Sequence, residues 1–193
     1  MDSDAIDQLF KTLLHTEVTK TVHRDVYPAI SPSRPELSQA GRVVLVTGGG
    51  TGVGHSSARS FIRAAADTVI IIGRRSDVLA TSAALLEQEV KATGTNTKII
   101  AKTCDIVNLV EVETFWKDLA TQGIIVDVFI ANAAKFTEPK PILELGADEV
   151  WSQMEVNVKS PLYFVDKFNA QPGGKKKVSL ARGCLFSPRT LIQ

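Results

Sequence analysis

The sequence predicts an α/β protein with a doubly wound parallel sheet that is C-terminally incomplete. Three observations lead there. Short apolar runs of strand length alternate with segments of helical period. A glycine-rich stretch stands between the first such run and the first long helix. The alternation stops after residue 169, before the last strands of such a sheet would come. The size suits one domain: 193 residues, 44% hydrophobic and 22% charged. A net charge of +1 points to neither nucleic acid nor a membrane surface. The start, MDSDAIDQLF, lacks the basic-then-apolar order of a secretory signal, and no apolar run reaches the length of a bilayer span. The last residues, Leu191-Ile192-Gln193, are not a peroxisomal address. Cys104 and Cys184 give no disulfide framework, and His15, His23 and His55 have no metal-ligand spacing. No metal is expected, and the expected setting is the reducing cytoplasm.

The elements follow in order. Residues 1–40 are expected as an amphipathic helix at 4–15, with Ile6, Leu9, Phe10, Leu13 and Leu14 on one side, then a Pro-containing arm. Residues 41–177 form the domain proper. Arg42–Val46 is a first strand buried on both faces. A helix follows from Val53 to Ala66, then a second strand from Thr68 to Ile72. Val78, Leu79, Leu86 and Val90 share a helical face ended by Gly94. Lys98–Ala101 is a third strand, and Leu109, Val112, Trp116 and Leu119 mark a helix ended by Gly123. Ile125–Ala131 is a fourth strand. A polar loop to Gly146 and a long helix over 148–168 complete the pattern. Trp116 and Trp151 are expected as core or interface anchors on helix faces. Residues 178–193 read as a divergent tail in place of a fifth strand, which would leave the fourth strand an open, association-prone edge.

TGGGTGVG, residues 47–54, sits where a strand hands over to a helix. Gly48, Gly50, Gly52 and Gly54 let the backbone approach a ligand, and the helix start offers free N–H groups to a diphosphate. A tight turn without a ligand is the plain alternative. Dinucleotide sites selective for NAD place an acid at the end of the second strand; this chain has Arg74 and Arg75 there, suited to a ribose 2′-phosphate. A solvated arginine pair is the alternative. Asp105 follows the third strand, Asn132 closes the fourth, and Asn157 lies inside the long helix, where Asn needs a reason. Singly, a strand-end Asp or Asn is often only a turn former.

Together these residues resemble the short-chain dehydrogenase/reductase family, over about residues 41–177. Thr47, Gly48, Gly52 and Gly54 match its Thr-Gly-x-x-x-Gly-x-Gly fingerprint. Ala131-Asn132-Ala133-Ala134 matches its Asn-Asn-Ala-Gly segment with departures at Ala131 and Ala134. The arm containing YPAISPSRPELS is similar to filamentous-fungal members. The resemblance implies a Rossmann fold and a dinucleotide held by Thr47, Gly48, Gly50, Thr51, Gly52, Val53, Gly54, Arg74, Arg75, Asp105, Ile106, Asn132 and Ala133. It gives Asp105 an adenine contact, Asn132 the steadying of the central strand, and Asn157 a catalytic place beside a proton-relay water. The expected cofactor is NADP(H) in preference to NAD(H). The expected reaction is hydride transfer between nicotinamide and a small-molecule carbonyl or alcohol, with the full-length form expected as a homo-oligomer.

The family's acid–base pair is Tyr-x-x-x-Lys, in which the Lys brings a phenol of pKa about 10 into working range. Tyr163 and Lys167 fit the string, but they share a helix with Asn157 and no Ser-bearing strand intervenes, so they are not expected to be that pair. The catalytic Ser, Tyr and Lys positions are therefore expected to be missing. Val178-Ser179 is encodable by an intron-donor sequence, so read-through of an unspliced intron and genuine truncation both stand as explanations. The alternative function is a catalytically inactive nucleotide-binding fragment, or a partner of a full-length relative.

Overall fold

The computed structural model describes His23, residues 26–173 and, as backbone, residues 178–181. The helix expected at 4–15 lies outside these. The arm contributes two 3-10 turns, Pro28–Ile30 and Pro35–Leu37, each opened by a proline whose fixed φ suits a first helical position. The domain then runs β1 (Val43–Thr47), α1 (Gly52–Arg63), β2 (Thr68–Gly73), α2 (Ser76–Thr93), β3 (Lys98–Thr103), α3 (Leu109–Thr121) and β4 (Val128–Ala131). After it come α4 (Ile142–Leu145), α5 (Ala147–Met154), a π turn (Glu155–Lys159), α6 (Ser160–Ala170) and β5 (Val178–Ala181).

All four strand pairings are parallel, in the order β3-β2-β1-β4-β5. The sheet is covered on both faces, and alternate residues of a strand go to opposite sides. Val44 and Val46 of β1, with Val69 and Ile71 of β2, pack against Ala58 and Ile62 of α1 and Leu79 and Leu86 of α2. Leu45, Ile70, Ile72 and Phe129 face the other way, onto Val112, Phe115, Trp116 and Leu119 of α3 and Phe164 and Phe168 of α6. Phe129 and Phe164 stack with centroids 5.5 Å apart. Trp116 is the core anchor expected of it; Trp151 is 65% exposed.

Several boundaries differ from expectation, each for a physical reason. α1 ends at Arg63 because Ala65 takes a left-handed φ of 60°. β4 starts at Val128 because Asp127 is spent at the sheet margin: its N–H donates to the Val43 carbonyl and its carboxylate accepts from the Val43 N–H. The long helix is broken by the π turn. Pro161 has no N–H for the carbonyl four residues back, and its ring crowds that carbonyl. The chain relieves this with a wider turn, in which the Ser160 N–H reaches the Glu155 carbonyl, five residues back.

The expectation of an open fourth strand is corrected. β5 pairs with β4 from Val128↔Val178 to Ala131↔Ala181, so β4 lies between two neighbours. Four strand residues after a lysine run carry too short a pattern to be read from periodicity.

Candidate functional site

At the C-terminal ends of the strands, β1 leads to α1 on one face and β4 leads towards α6 on the other. Divergence of this kind opens a crevice in a doubly wound sheet. A cleft of about 570 Å³ lies there. Its floor is the glycine loop. Gly48 and Gly52 have φ of 67° and 55°, so both use backbone that L-residues avoid. Gly54 is needed for contact instead: a Cβ there would stand 2.2 Å from the Gly48 carbonyl oxygen. Among the described residues, the N–H groups of Gly50, Thr51, Gly52 and Val53 meet no acceptor. They are the unpaired donors of a helix start, with the positive end of the α1 dipole behind them.

Of the residues singled out from sequence, Gly48, Gly50, Thr51, Gly52, Val53, Arg74, Arg75, Asp105, Ile106, Asn132 and Ala133 line this one cleft. Thr47, Gly54 and Asn157 do not. Thr47 is buried beneath it as a latch. Its hydroxyl accepts from the N–H groups of Asn132 and Ala133, both at 3.0 Å, and donates to the Ile130 carbonyl at 3.4 Å. The Asn132 amide returns the bond, donating to the Thr47 carbonyl at 2.9 Å. β1 and β4 are thus fixed at the point where the cleft opens. Arg74 and Arg75 are exposed at the rim and form no ion pair among the described residues. Asp105 accepts from the Val107 N–H at 3.2 Å, and its own N–H donates to Glu111 at 2.7 Å.

The walls include residues that were not expected in the site from sequence: Val78, Leu79, Cys104, Lys135, Phe136 and Val156. Burial pushes the Cys104 thiol up to about 12, helped by the negative charges of Glu111 and Asp105, so it is a wall and not a nucleophile. Lys135 carries no motif; only the fold brings its ammonium to Glu149, at 2.9 Å, and Ser152, at 2.6 Å. Tyr163 and Lys167 are absent from the cleft lining, and Lys167 pairs instead with Glu113 of α3.

A parallel sheet of this order, with a glycine loop and free helix-start donors at its switch point, defines a Rossmann-type fold. Residues 42–175 match the family model described as short chain dehydrogenase, and the chain belongs to that family. It is similar to the short chain dehydrogenase pigC of Monascus ruber, 30% identical over 78% of this chain and 48% of that protein. It is also similar to the short chain dehydrogenase/reductase dpfgG of Gibberella zeae, 33% identical over 66% of this chain and 44% of that protein. Among solved structures, it matches a metagenomic short-chain oxidoreductase in complex with NADP. That match has a TM-score of 0.58 and 26% identity, over 67% of this chain and 55% of the other. The chain spans about half the length of the relatives it matches. The family acts on small molecules through a nicotinamide cofactor. Among the described residues, no helix is long and apolar enough to cross a membrane.

Proposed function

We propose that the cleft binds NADP(H) and that the protein is an oxidoreductase acting on a small carbonyl or alcohol compound. The single observation behind the cofactor choice is the pair Arg74 and Arg75, unpaired at the cleft rim just after β2. A 2′-phosphate would gain two charge-assisted partners there, and a carboxylate that would repel it is not among the lining residues of that strand end. The related metagenomic oxidoreductase was solved with NADP, which supports the same choice.

In this reading the N–H groups of Gly50, Thr51, Gly52 and Val53 take the diphosphate. Asp105 and Ile106 flank the adenine, Asn132 and Ala133 form the floor, and Thr47 and Gly54 shape the loop from below. Asn157 keeps the loop after β4 in place. Bound there, the nicotinamide would exchange a hydride with a carbonyl or alcohol carbon. The residues of this chain bind, orient and exclude water; an acid–base tyrosine is not among those lining the cleft. A cytoplasmic location, and a homo-oligomer for the full-length form, go with the proposal. Calorimetric titration of the chain with NADPH and NADH tests it. Tighter binding of NADPH is expected; equal affinity would contradict the cofactor choice, and binding of neither would end the whole reading.

A further inference from the structure

The glycine loop has a weakness built into it. Gly49 and Gly50 are adjacent residues without side chains, and the peptide between them can turn over at little cost. Something else has to fix its direction. Gly49 is pressed flat on β2, where a Cβ would stand 2.6 Å from the Ile71 side chain, and its N–H donates to the Ile72 carbonyl at 3.2 Å. Its carbonyl oxygen is held by α2. Ser82 of α2, 2% exposed, donates its hydroxyl proton to it at 2.9 Å.

That proton is the only one Ser82 Oγ has, and a carbonyl has none to give. The 2.7 Å contact between Ser82 Oγ and His55 Nδ1 must therefore be filled by a proton on Nδ1. The result is a directed chain, Nδ1–H to Oγ–H to O=C, running from α1 through α2 into the loop. Burial, then the Arg59 charge, hold the His55 pKa below its ordinary value, so the neutral ring with Nδ1 protonated is the working form. In a trans peptide the carbonyl of one residue and the N–H of the next point in opposite directions. With the Gly49 carbonyl drawn to Ser82, the Gly50 N–H is turned the other way. Gly50 lines the cleft, and its N–H has no acceptor among the described residues.

We propose that Ser82 and His55 are positioning residues for cofactor binding: together they orient the Gly49–Gly50 peptide so that the Gly50 N–H is presented to a phosphate oxygen of the dinucleotide. This rests on the cleft being a dinucleotide site. His55 acts through Ser82 and Ser82 through the Gly49 carbonyl; neither touches the ligand.

The test has two arms. In the unliganded chain, nitrogen-15 NMR of the His55 ring should show the Nδ1–H tautomer, and Ser82→Ala should shift the Gly50 amide resonance. An Nε2–H ring or an unmoved Gly50 amide overturns the proposal, whatever the cofactor does. In NADPH titrations, Ser82→Ala and His55→Phe should each weaken binding roughly five- to tenfold, the worth of one hydrogen bond. The double variant should bind no worse than Ser82→Ala alone, since the two act in series. His55→Asn, whose amide can replace the Nδ1–H donor, should recover most of the loss. Additive losses, or no recovery with Asn, would show that the residues only pack. Failure of the unaltered chain to bind NADPH would defeat the dinucleotide reading and this use of the peptide with it. The NMR arm would still report whether the hydrogen-bond chain exists.

Discussion

Asn157 grips Lys135 by both polar groups of its backbone: Oδ1 accepts from the Lys135 N–H at 2.9 Å, and Nδ2 donates to the Lys135 carbonyl at 2.8 Å. The side-chain amide thus does for one residue what a neighbouring strand does in a sheet. It moors the segment after β4 to the π turn. Asn157→Asp keeps the acceptor and turns the donor into an oxygen facing a carbonyl. We expect it to cost about 1–3 kcal/mol of stability, since the half-buried Lys135 carbonyl loses its donor. Urea unfolding measures this, and a variant as stable as the parent would mean that the grip contributes nothing.

Gly52 and Gly54 should respond differently to substitution. Gly52 needs its φ of 55° but has open space around a would-be Cβ. Gly52→Val should fold, at a strain of about 1–2 kcal/mol, and lose most dinucleotide affinity because a branched side chain enters the cleft. Gly54→Ala meets the Gly48 carbonyl and the Asn132 amide, the latter at 2.6 Å, so the loop and α1 must part. Overpacking of this kind costs about 1–3 kcal/mol. Thermal melts alongside NADPH titration would distinguish the two, and identical behaviour would refute the assignment.

Replacing Arg74 and Arg75 together with alanine should lower NADPH affinity roughly ten- to hundredfold, the range for losing a charge-assisted hydrogen bond. NADH affinity should hardly change, because it has no 2′-phosphate. Parallel losses for both cofactors would move the arginines off the ribose.

Ala65 is the one described non-glycine residue with positive φ, and it is exposed. The left-handed conformation costs an alanine about 1–2 kcal/mol, while a glycine loses about 0.5–1 kcal/mol of chain entropy on folding. Ala65→Gly should therefore stabilise the protein by about 0.5–1 kcal/mol, read from the denaturation midpoint. A lower midpoint would show that the turn is not strained.

Acid should destabilise the α1–α2 contact in two stages. His55 has a lowered pKa, through burial and then Arg59, so the unfolded chain takes up that proton first. Its contribution is complete above about pH 6.5, the unfolded value, and is lost as pH falls through the folded one. Burial pulls Glu89 upward, but hydrogen bonds from Arg63 and Arg59 prevail and its pKa is lowered. Its contribution is therefore lost further into the acid range. Unfolding free energies across a pH series should show a flatter upper stage in His55→Asn and a flatter lower stage in Glu89→Gln. Slopes unchanged from the parent would contradict both.

Much of this was legible in the sequence, because Rossmann units declare themselves locally. A Val-Val-Leu-Val run followed by a glycine loop and a helix needs no distant information. Asp105 and Asn132 could be placed because each closes a strand. Ser82 and Lys135 could not. Ser82 is an ordinary helix serine until α2 lies against the loop, and Lys135 an ordinary loop lysine until the π turn supplies Asn157. Pro161 was a visible signal that the long helix must break, and it explains what periodicity alone missed. β5 was hidden for another reason: its partner is β4, and pairing between strands is not written in four residues.

The place of β1 in the sheet order also governs when the protein can fold. β1 pairs with β2, close by in sequence, and with β4, just before which Asp127 reaches Val43 across 84 residues. Until β4 exists, one edge of β1, buried along Val44–Thr47, has no partner. At a synthesis rate of 5–20 residues per second, that interval is about 4–17 s. For those seconds Val44, Leu45 and Val46 lack their β4 partners, so chaperone capture during translation is expected from strand order rather than from final stability.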